Sequence, residues 1–247
     1  MTSTGPDRVA IVTGASGGIG RACAERLAAD GLAVVAHYAG NPDRAAEVVS
    51  TISGAGGCAV AAQADVGDAT QVAALFDTAE REFGGVDVVV NSAGIMLLSP
   101  LVDTGLDDLD RMIRTNLVGT YLACQEAARR LRSGGAIVNF SSSVLQLALP
   151  TYTAYAATKG GVEAITLILA KELRGRDVTV NAVGPGPTAT PLFLHGKSQE
   201  QIDQLAGLSP LNRLGEPADV AEVVSFLAGP ARWVDGQVLY VNGGVVR

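Results

Sequence analysis

Apolar positions along the chain fall into two kinds of stretch. Short, nearly unbroken apolar runs stand at 8–14 (RVAIVTG), 33–38 (AVVAHY), 58–66, 86–94, 136–142, 177–186 and 236–244. Runs that are apolar throughout, rather than alternating, predict strands covered on both faces. Between them lie longer stretches with apolar residues three and four apart, predicting helices over 20–31, 42–57, 68–84, a long region 104–131 and a stretch entered near 153. Gly31 is placed to close the first helix, and Asn41-Pro42 reads as the N-cap and first turn of the second. Strands alternating with helices predict an α/β fold, a doubly wound parallel sheet of about seven strands flanked by helices. No linker or internal repeat divides the chain, so one domain is expected over 1–247.

Composition narrows the function classes. The chain has 247 residues, 48% of them hydrophobic, enough for one large core. Its apolar runs are too short to span a bilayer, so no membrane partner is expected. "MTSTGPDR" lacks the charged-then-apolar layout of a secretory leader. Cys23, Cys58 and Cys124 show no metal spacing, which fits a reducing, cytoplasmic setting. With only His37 and His195, no histidine-based metal cluster or triad is expected. A net charge of −7 argues against nucleic acid as a partner.

"TGASGGIG" (13–20) joins the first strand to its helix. Gly14, Gly18 and Gly20 allow a tight turn and the approach of backbone to a pyrophosphate, which then meets the helix N-terminus. At the first strand-to-helix junction of a parallel sheet this is a dinucleotide site of the Rossmann kind, with Ser16 and Ile19 on the same loop. Further along, "TAYAATKGG" (153–161) sets Tyr155 and Lys159 one helical turn apart on one face. An ammonium beside a phenol lowers the phenol pKa, and such a tyrosine exchanges protons with a carbonyl or an alcohol.

Taken together, Thr13–Gly20, "NSAG" (91–94), Asn116, Ser142, Tyr155-x-x-x-Lys159 and Pro185-Gly186 resemble the short-chain dehydrogenases/reductases, from Arg8 to Gly244. "NSAG" departs from the family's commoner N-N-A-G by one serine. The resemblance implies a catalytic tetrad of Asn116, Ser142, Tyr155 and Lys159. Tyr155 is then the acid in reduction and the base in oxidation, and Ser142 holds the carbonyl oxygen. Lys159 lowers the tyrosine pKa and holds the nicotinamide ribose, and Asn116 kinks its helix and positions a water. Of three adjacent serines, Ser142 lies thirteen positions before the tyrosine, as in the family. Ser141 and Ser143 read as a polar strand end. The resemblance further places Asp65 and Val66 at the adenine, and Asn91, Ala93 and Gly94 under its ribose. Pro185, Gly186, Thr188 and Thr190 fall around the nicotinamide and phosphates.

The end of the second strand bears on cofactor choice. No acid stands at His37, Tyr38, Ala39 or Gly40, so a 2′-phosphate is not repelled. The helix entered at Asn41 offers amides to that phosphate, and NADP(H) is expected over NAD(H). His37 is either a phosphate partner or an exposed strand end. Residues 189–210 resemble a substrate lid, with Leu192, Phe193 and Leu194 closing an apolar pocket rimmed by Ile95, Met96, Val144, Leu145 and Tyr152. The nearest resemblance is to the NADPH-dependent aldehyde-reductase-like branch, implying a small apolar aldehyde or ketone. The 3-oxoacyl-carrier-protein reductases are the alternative, with Arg129, Arg130 and Arg132 as a basic cluster for the carrier. A non-catalytic dinucleotide sensor is a further alternative. The family implies a homotetramer, its long helices around Asn116 and Tyr155 pairing with a neighbour's.

Overall fold

A computed structural model of the protein describes residues 8–246; of "MTSTGPDR", all but Arg8 lies outside the described residues. Seven strands, β1 (Val9–Thr13), β2 (Ala33–Tyr38), β3 (Ala59–Gln63), β4 (Val88–Asn91), β5 (Ala136–Phe140), β6 (Thr179–Pro185) and β7 (Val238–Val241), form one sheet in the order β3-β2-β1-β4-β5-β6-β7. Every neighbouring pair is parallel.

The helices are α1 (Gly18–Ala29), α2 (Pro42–Gly54), α3 (Ala69–Phe83), α4 (Leu106–Met112), α5 (Gly119–Arg130), α6 (Val144–Leu147), α7 (Thr153–Glu172), α8 (Pro191–Leu194), α9 (Gln199–Gly207) and α10 (Pro217–Ala228). Both faces of the sheet are covered. Ala10, Val12, Val34, Val90 and Val138 pack with Leu27 of α1, Ile52 of α2 and Val224 of α10. Val9, Ile11, Val35, Val89 and Ile137 pack with Leu75 and Phe76 of α3 and Ala123 of α5. Successive side chains of a strand alternate between these two layers, which is why the strands are apolar throughout.

The predicted strands are all present, most of them shorter than their apolar runs. The flanking Gly, Asn and Ser residues belong to connections at the strand ends. The predicted long helix 104–131 differs in detail: α4 and α5 are joined by a π-helical segment, Ile113–Val118, that carries Asn116. Asn41 caps α2 as expected, its Oδ1 accepting the Arg44 N–H at 3.0 Å.

Sequence order reverses between β1 and β4. In a parallel sheet this opens a crevice beyond the strands' C-terminal ends. The β1–α1 turn enters it with Gly14 at φ +69°, where a Cβ would lie 3.0 Å from Ala93 Cα. A Cβ on Gly20 would lie 2.3 Å from the Gly14 carbonyl oxygen. Gly17 has extended backbone and open space around its Cα.

Gly20→Ala therefore forces α1 off the loop and is expected to cost about 1–3 kcal/mol, as overpacking does. Gly17→Ala is expected to leave stability nearly unchanged. Thermal unfolding of the two variants compares them directly, and equal melting temperatures would contradict the packing.

Candidate active site

A cavity of about 450 Å³ lies in this crevice. Its floor is the glycine loop (Gly14, Ser16, Gly18, Ile19, Gly20) with Ala93 and Gly94 from beyond β4, Pro185 at the end of β6 and Gly186 just after it. α1 begins with no side-chain cap and no acidic residue in its first turn, so its amides are available to an anion. Thr188 and Thr190 stand on the far wall, and a Cβ on Gly18 would meet the Thr190 methyl at 3.4 Å. The other end is apolar, formed by Met96, Val144, Leu147, Leu149, Tyr152, Leu192, Phe193 and Leu205. Met96, Val144, Tyr152, Leu192 and Phe193 were expected there; Ile95, Leu145 and Leu194 are not part of the wall.

Ser142, Tyr155 and Lys159 meet between the two ends. The three serines separate as their surroundings demand. Ser141 is buried and donates to Glu163 Oε1 at 2.6 Å, and Ser143 is buried and donates to the Gly184 carbonyl at 3.0 Å. All three border the cavity, but Ser142 is the one whose hydroxyl meets that of Tyr155; its Oγ also accepts the Val144 N–H at 3.3 Å. Lys159 is buried and donates from Nζ to the Phe140 carbonyl oxygen at 2.7 Å, with Nζ 5.6 Å from the Tyr155 ring centre.

The electrostatics correct one expectation. The Tyr155 hydroxyl is not lowered by Lys159: burial pushes it up to about 12, with the Ser142 hydrogen bond acting against the rise. The ammonium is aimed at Phe140 instead, and burial draws Lys159 itself down to about 8. Tyr155 is therefore a protonated donor at neutral pH.

Asn116 is fully buried. Its Oδ1 accepts the Ile95 N–H at 2.8 Å, and its Nδ2 donates to the Ile95 carbonyl at 2.9 Å and to Thr158 Oγ1 at 3.2 Å. A Cβ on Gly94 would fall 3.3 Å from Asn116 Oδ1 and 3.8 Å from Lys159 Nζ. The asparagine thus pins the loop after β4 against α7 at the lysine.

Several residues expected at the cofactor do not line this cavity. His37 is neither exposed nor open to a phosphate, because its ring is buried and both nitrogens are bonded within the protein. Asn91 points into the core, where Nδ2 donates to Asn139 Oδ1 at 2.8 Å and ties β4 to β5. Val66 is buried against Gly119, where a Cβ would lie 2.8 Å from its methyl group. Asp65 is exposed, with Oδ1 accepting the Gly67 N–H at 2.8 Å. Tyr38, Ala39 and Asn41 stand at the end of β2, outside the cavity wall. The basic cluster is neutralised: Arg129 pairs with Glu126, Arg130 with Asp77 and Glu80, and Arg132 with Asp87.

Arg44, on the first turn of α2, was missed. It lines the cavity beside the glycine loop, and its guanidinium has no ion-pair partner among the described residues. The signal was present: it lies three residues after the N-cap Asn41, on the turn that faces the loop.

The sequence profile of a family described as Enoyl-(Acyl carrier protein) reductase matches residues 14–246. A "Short-chain type dehydrogenase/reductase" of Picea abies is 46% identical, over 97% of this chain and 92% of that protein. An "NADPH-dependent aldehyde reductase-like protein, chloroplastic" of Arabidopsis thaliana is 43% identical, over 97% and 94%. A crystal structure of a Burkholderia cenocepacia short chain dehydrogenase in complex with NADP superposes with a TM-score of 0.91 at 37% identity, over 96% of this chain and 97% of that one. The chain belongs to the short-chain dehydrogenase/reductase family and is an oxidoreductase. No described helix is long and apolar enough to cross a membrane.

Asn116→Ala leaves the Ile95 N–H and C=O without their partner. A buried polar group so stranded costs about 1–3 kcal/mol, so the melting temperature is expected to fall by several degrees. Amide exchange at Ile95 should accelerate with it; exchange unchanged at Ile95 would contradict the assignment.

Proposed function

We propose that the protein reduces the carbonyl of a small apolar aldehyde or ketone to an alcohol, with NADP(H) preferred over NAD(H). The observation that carries this reading is the hydrogen-bonded Ser142–Tyr155 pair beside the buried Lys159, set between a glycine-floored end and an apolar end of one cavity. The glycine-floored end fits a dinucleotide. Side chains are missing where a pyrophosphate needs room, and α1 presents uncapped amides. When bound, the nicotinamide supplies the hydride.

The chain's own residues supply the rest. Ser142 accepts and passes on a hydrogen bond, so it holds a carbonyl oxygen beside Tyr155. Tyr155, protonated at neutral pH, donates the proton that the new alcohol needs. Lys159 is a proton reservoir at its elbow, since a group near 8 exchanges protons at physiological pH. Asn116 keeps the loop after β4 at the lysine. The apolar end excludes water and offers no charged partner to a substrate, which favours an uncharged one. The ion-paired state of Arg129, Arg130 and Arg132 removes the main support for docking an acidic carrier protein. The name of the NADPH-dependent relative in Arabidopsis thaliana agrees with the cofactor reading. Arg44 is the residue proposed to meet the 2′-phosphate, together with the α2 amides. In line with the family, the active form is proposed to be a homotetramer, and exposed Leu101, Val102, Tyr121 and Ile168 suit burial by neighbours. A cytoplasmic site is proposed from its reduced cysteines.

The test of the activity is a panel of aldehydes, ketones and 3-oxoacyl thioesters with NADPH, followed by loss of cofactor absorbance. Tyr155→Phe is expected to lower turnover at least a hundred- to ten-thousand-fold, in line with about that much from general acid catalysis, while NADPH still binds. Near-normal turnover in that variant would reject the role. Arg44→Ala is expected to raise the NADPH dissociation constant about 10- to 100-fold, the loss of a charge-assisted contact, and to leave the NADH value nearly unchanged. Tyr38→Asp adds a carboxylate at the end of β2 and is expected to reverse the preference toward NADH. A wild type that binds NADH more tightly contradicts the cofactor reading.

A further inference from the structure

His37 stands at the end of β2 with its ring turned into the sheet and only 1% exposed. It is bonded to the site on both sides. Its Nδ1 accepts the Gly14 N–H at 3.0 Å, and its main-chain oxygen accepts the Ala15 N–H at 2.9 Å. Its Nε2 lies 3.0 Å from the Ala64 carbonyl oxygen, at the end of β3. The partners dictate the tautomer. An amide N–H only donates, so Nδ1 has no proton; a carbonyl only accepts, so Nε2 carries one. The ring is thus neutral, and one side chain spans the glycine loop and the start of the β3–α3 connection.

We propose that His37 is a positioning residue for the dinucleotide: in its neutral Nε2–H form it fixes Gly14 against the end of β3, and protonation at Nδ1 releases the glycine loop, so that cofactor affinity falls in mildly acidic solution. The proposal rests on the reading of the glycine loop as the dinucleotide site. A second proton on the ring makes Nδ1 a donor that faces another donor, the Gly14 N–H, and that contact becomes repulsive. Gly14 has no slack in which to absorb this. Its Cα is crowded by Ala93 and its carbonyl oxygen by Gly20. A shift at Gly14 therefore moves the start of α1 as well.

The surroundings favour the neutral ring. Burial draws the His37 pKa below its ordinary 6.5, against smaller opposing effects from Ala64 and Asp65. Asp65, on the β3–α3 connection, is the charged group acting on the ring, and its own carboxylate faces Arg114 at 3.5 Å. Asp68, at the start of α3, is held by the Thr70 and Gln71 amides. The glycine loop (14–20) and the strand-end residues Thr13 and Asn91 carry no charged side chain. With the native pKa depressed, the unfolded or released state binds more protons between the two values. For folding, this contribution is full above about 6.5 and is lost as pH falls to the native value; for cofactor binding, the loss begins below the native value, where the free protein takes up a proton that the complex excludes.

The experiment is calorimetric titration of the full-length protein with NADP+ at pH values from about 8 down to 5.5, spanning the ordinary histidine range, on wild type and His37→Asn. Asparagine keeps an oxygen that accepts the Gly14 N–H and does not titrate. The titration of the 2′-phosphate is common to both proteins and cancels in their ratio. The wild-type dissociation constant is expected to rise relative to that of His37→Asn as pH falls, approaching tenfold per pH unit below the native pKa. A ratio that stays constant across the range overturns the proposal. His37→Ala, checked by circular dichroism, is expected to bind NADP+ about 5- to 100-fold more weakly at pH 8, the effect of one stranded buried amide; a folded alanine variant with unchanged affinity also overturns it. Should the alanine variant not fold, the asparagine comparison decides alone. A wild type that binds neither NADP+ nor NAD+ at pH 8 rejects the functional reading and this inference together, whereas tight binding with a constant ratio rejects this inference only.

Discussion

The geometry of the site depends on one buried cation. Lys159 carries its ammonium into the protein, where among the described residues it hydrogen-bonds the Phe140 carbonyl at the end of β5. A buried cation is costly unless its donors are met, so this bond fixes how α7 sits on the sheet. Gly161 allows the same approach on the other flank, since a Cβ there would lie 2.6 Å from a Leu117 methyl. With α7 so placed, Tyr155 comes beside Ser142 one turn earlier, and Thr158 reaches Asn116. The desolvation that makes Lys159 expensive is also what brings it near 8 and within reach of proton exchange at physiological pH.

The glycine-floored end is organised by contacts of a different kind. There the chain works by leaving atoms out: Gly14 and Gly20 have no room for a side chain, and Gly17 leaves the loop's surface open. A loop made of glycines is entropically loose when free, and something must hold it. The two hydrogen bonds from Gly14 and Ala15 to His37 do so from below, while the Thr190 methyl closes over Gly18 from above. The Tyr155 end and the glycine-floored end are thus each held by a buried ionisable side chain whose pKa burial lowers.

Much of this was legible in the sequence, for reasons that also explain the failures. Strand positions could be read because both faces of the sheet are covered, so that Val9–Thr13 is buried throughout. Ser142 was singled out from Ser141 and Ser143 by its resemblance to the family's serine, and the structure gives those two other partners. Spacing put Tyr155 and Lys159 on one face, but it carries no information on where a flexible ammonium points or on how dry a phenol is. The expected fall in the tyrosine pKa therefore became a rise. His37 was misread because its role arises from β1 and β3 lying on either side of β2, a matter of sheet order. Asn91 was misread likewise, its partner Asn139 being 48 positions away. The π-helical segment at Asn116 leaves the apolar pattern of a long helix almost intact, so that pattern does not show it; only the family resemblance implied a kink there.

The central claim is the proposal that Tyr155 enters the reaction as a protonated donor, its pKa raised by burial against the opposing Ser142 hydrogen bond. The direct measurement is carbon-13 NMR of the protein labelled at the tyrosine ring carbon bearing the hydroxyl, with the Tyr155 signal assigned by its loss in Tyr155→Phe. The account predicts that this signal does not move between about pH 6 and 10, because the group ionises near 12. A midpoint well below the ordinary tyrosine value of about 10, rising when Lys159 is replaced by methionine, would contradict it, since the lysine would then govern the tyrosine after all.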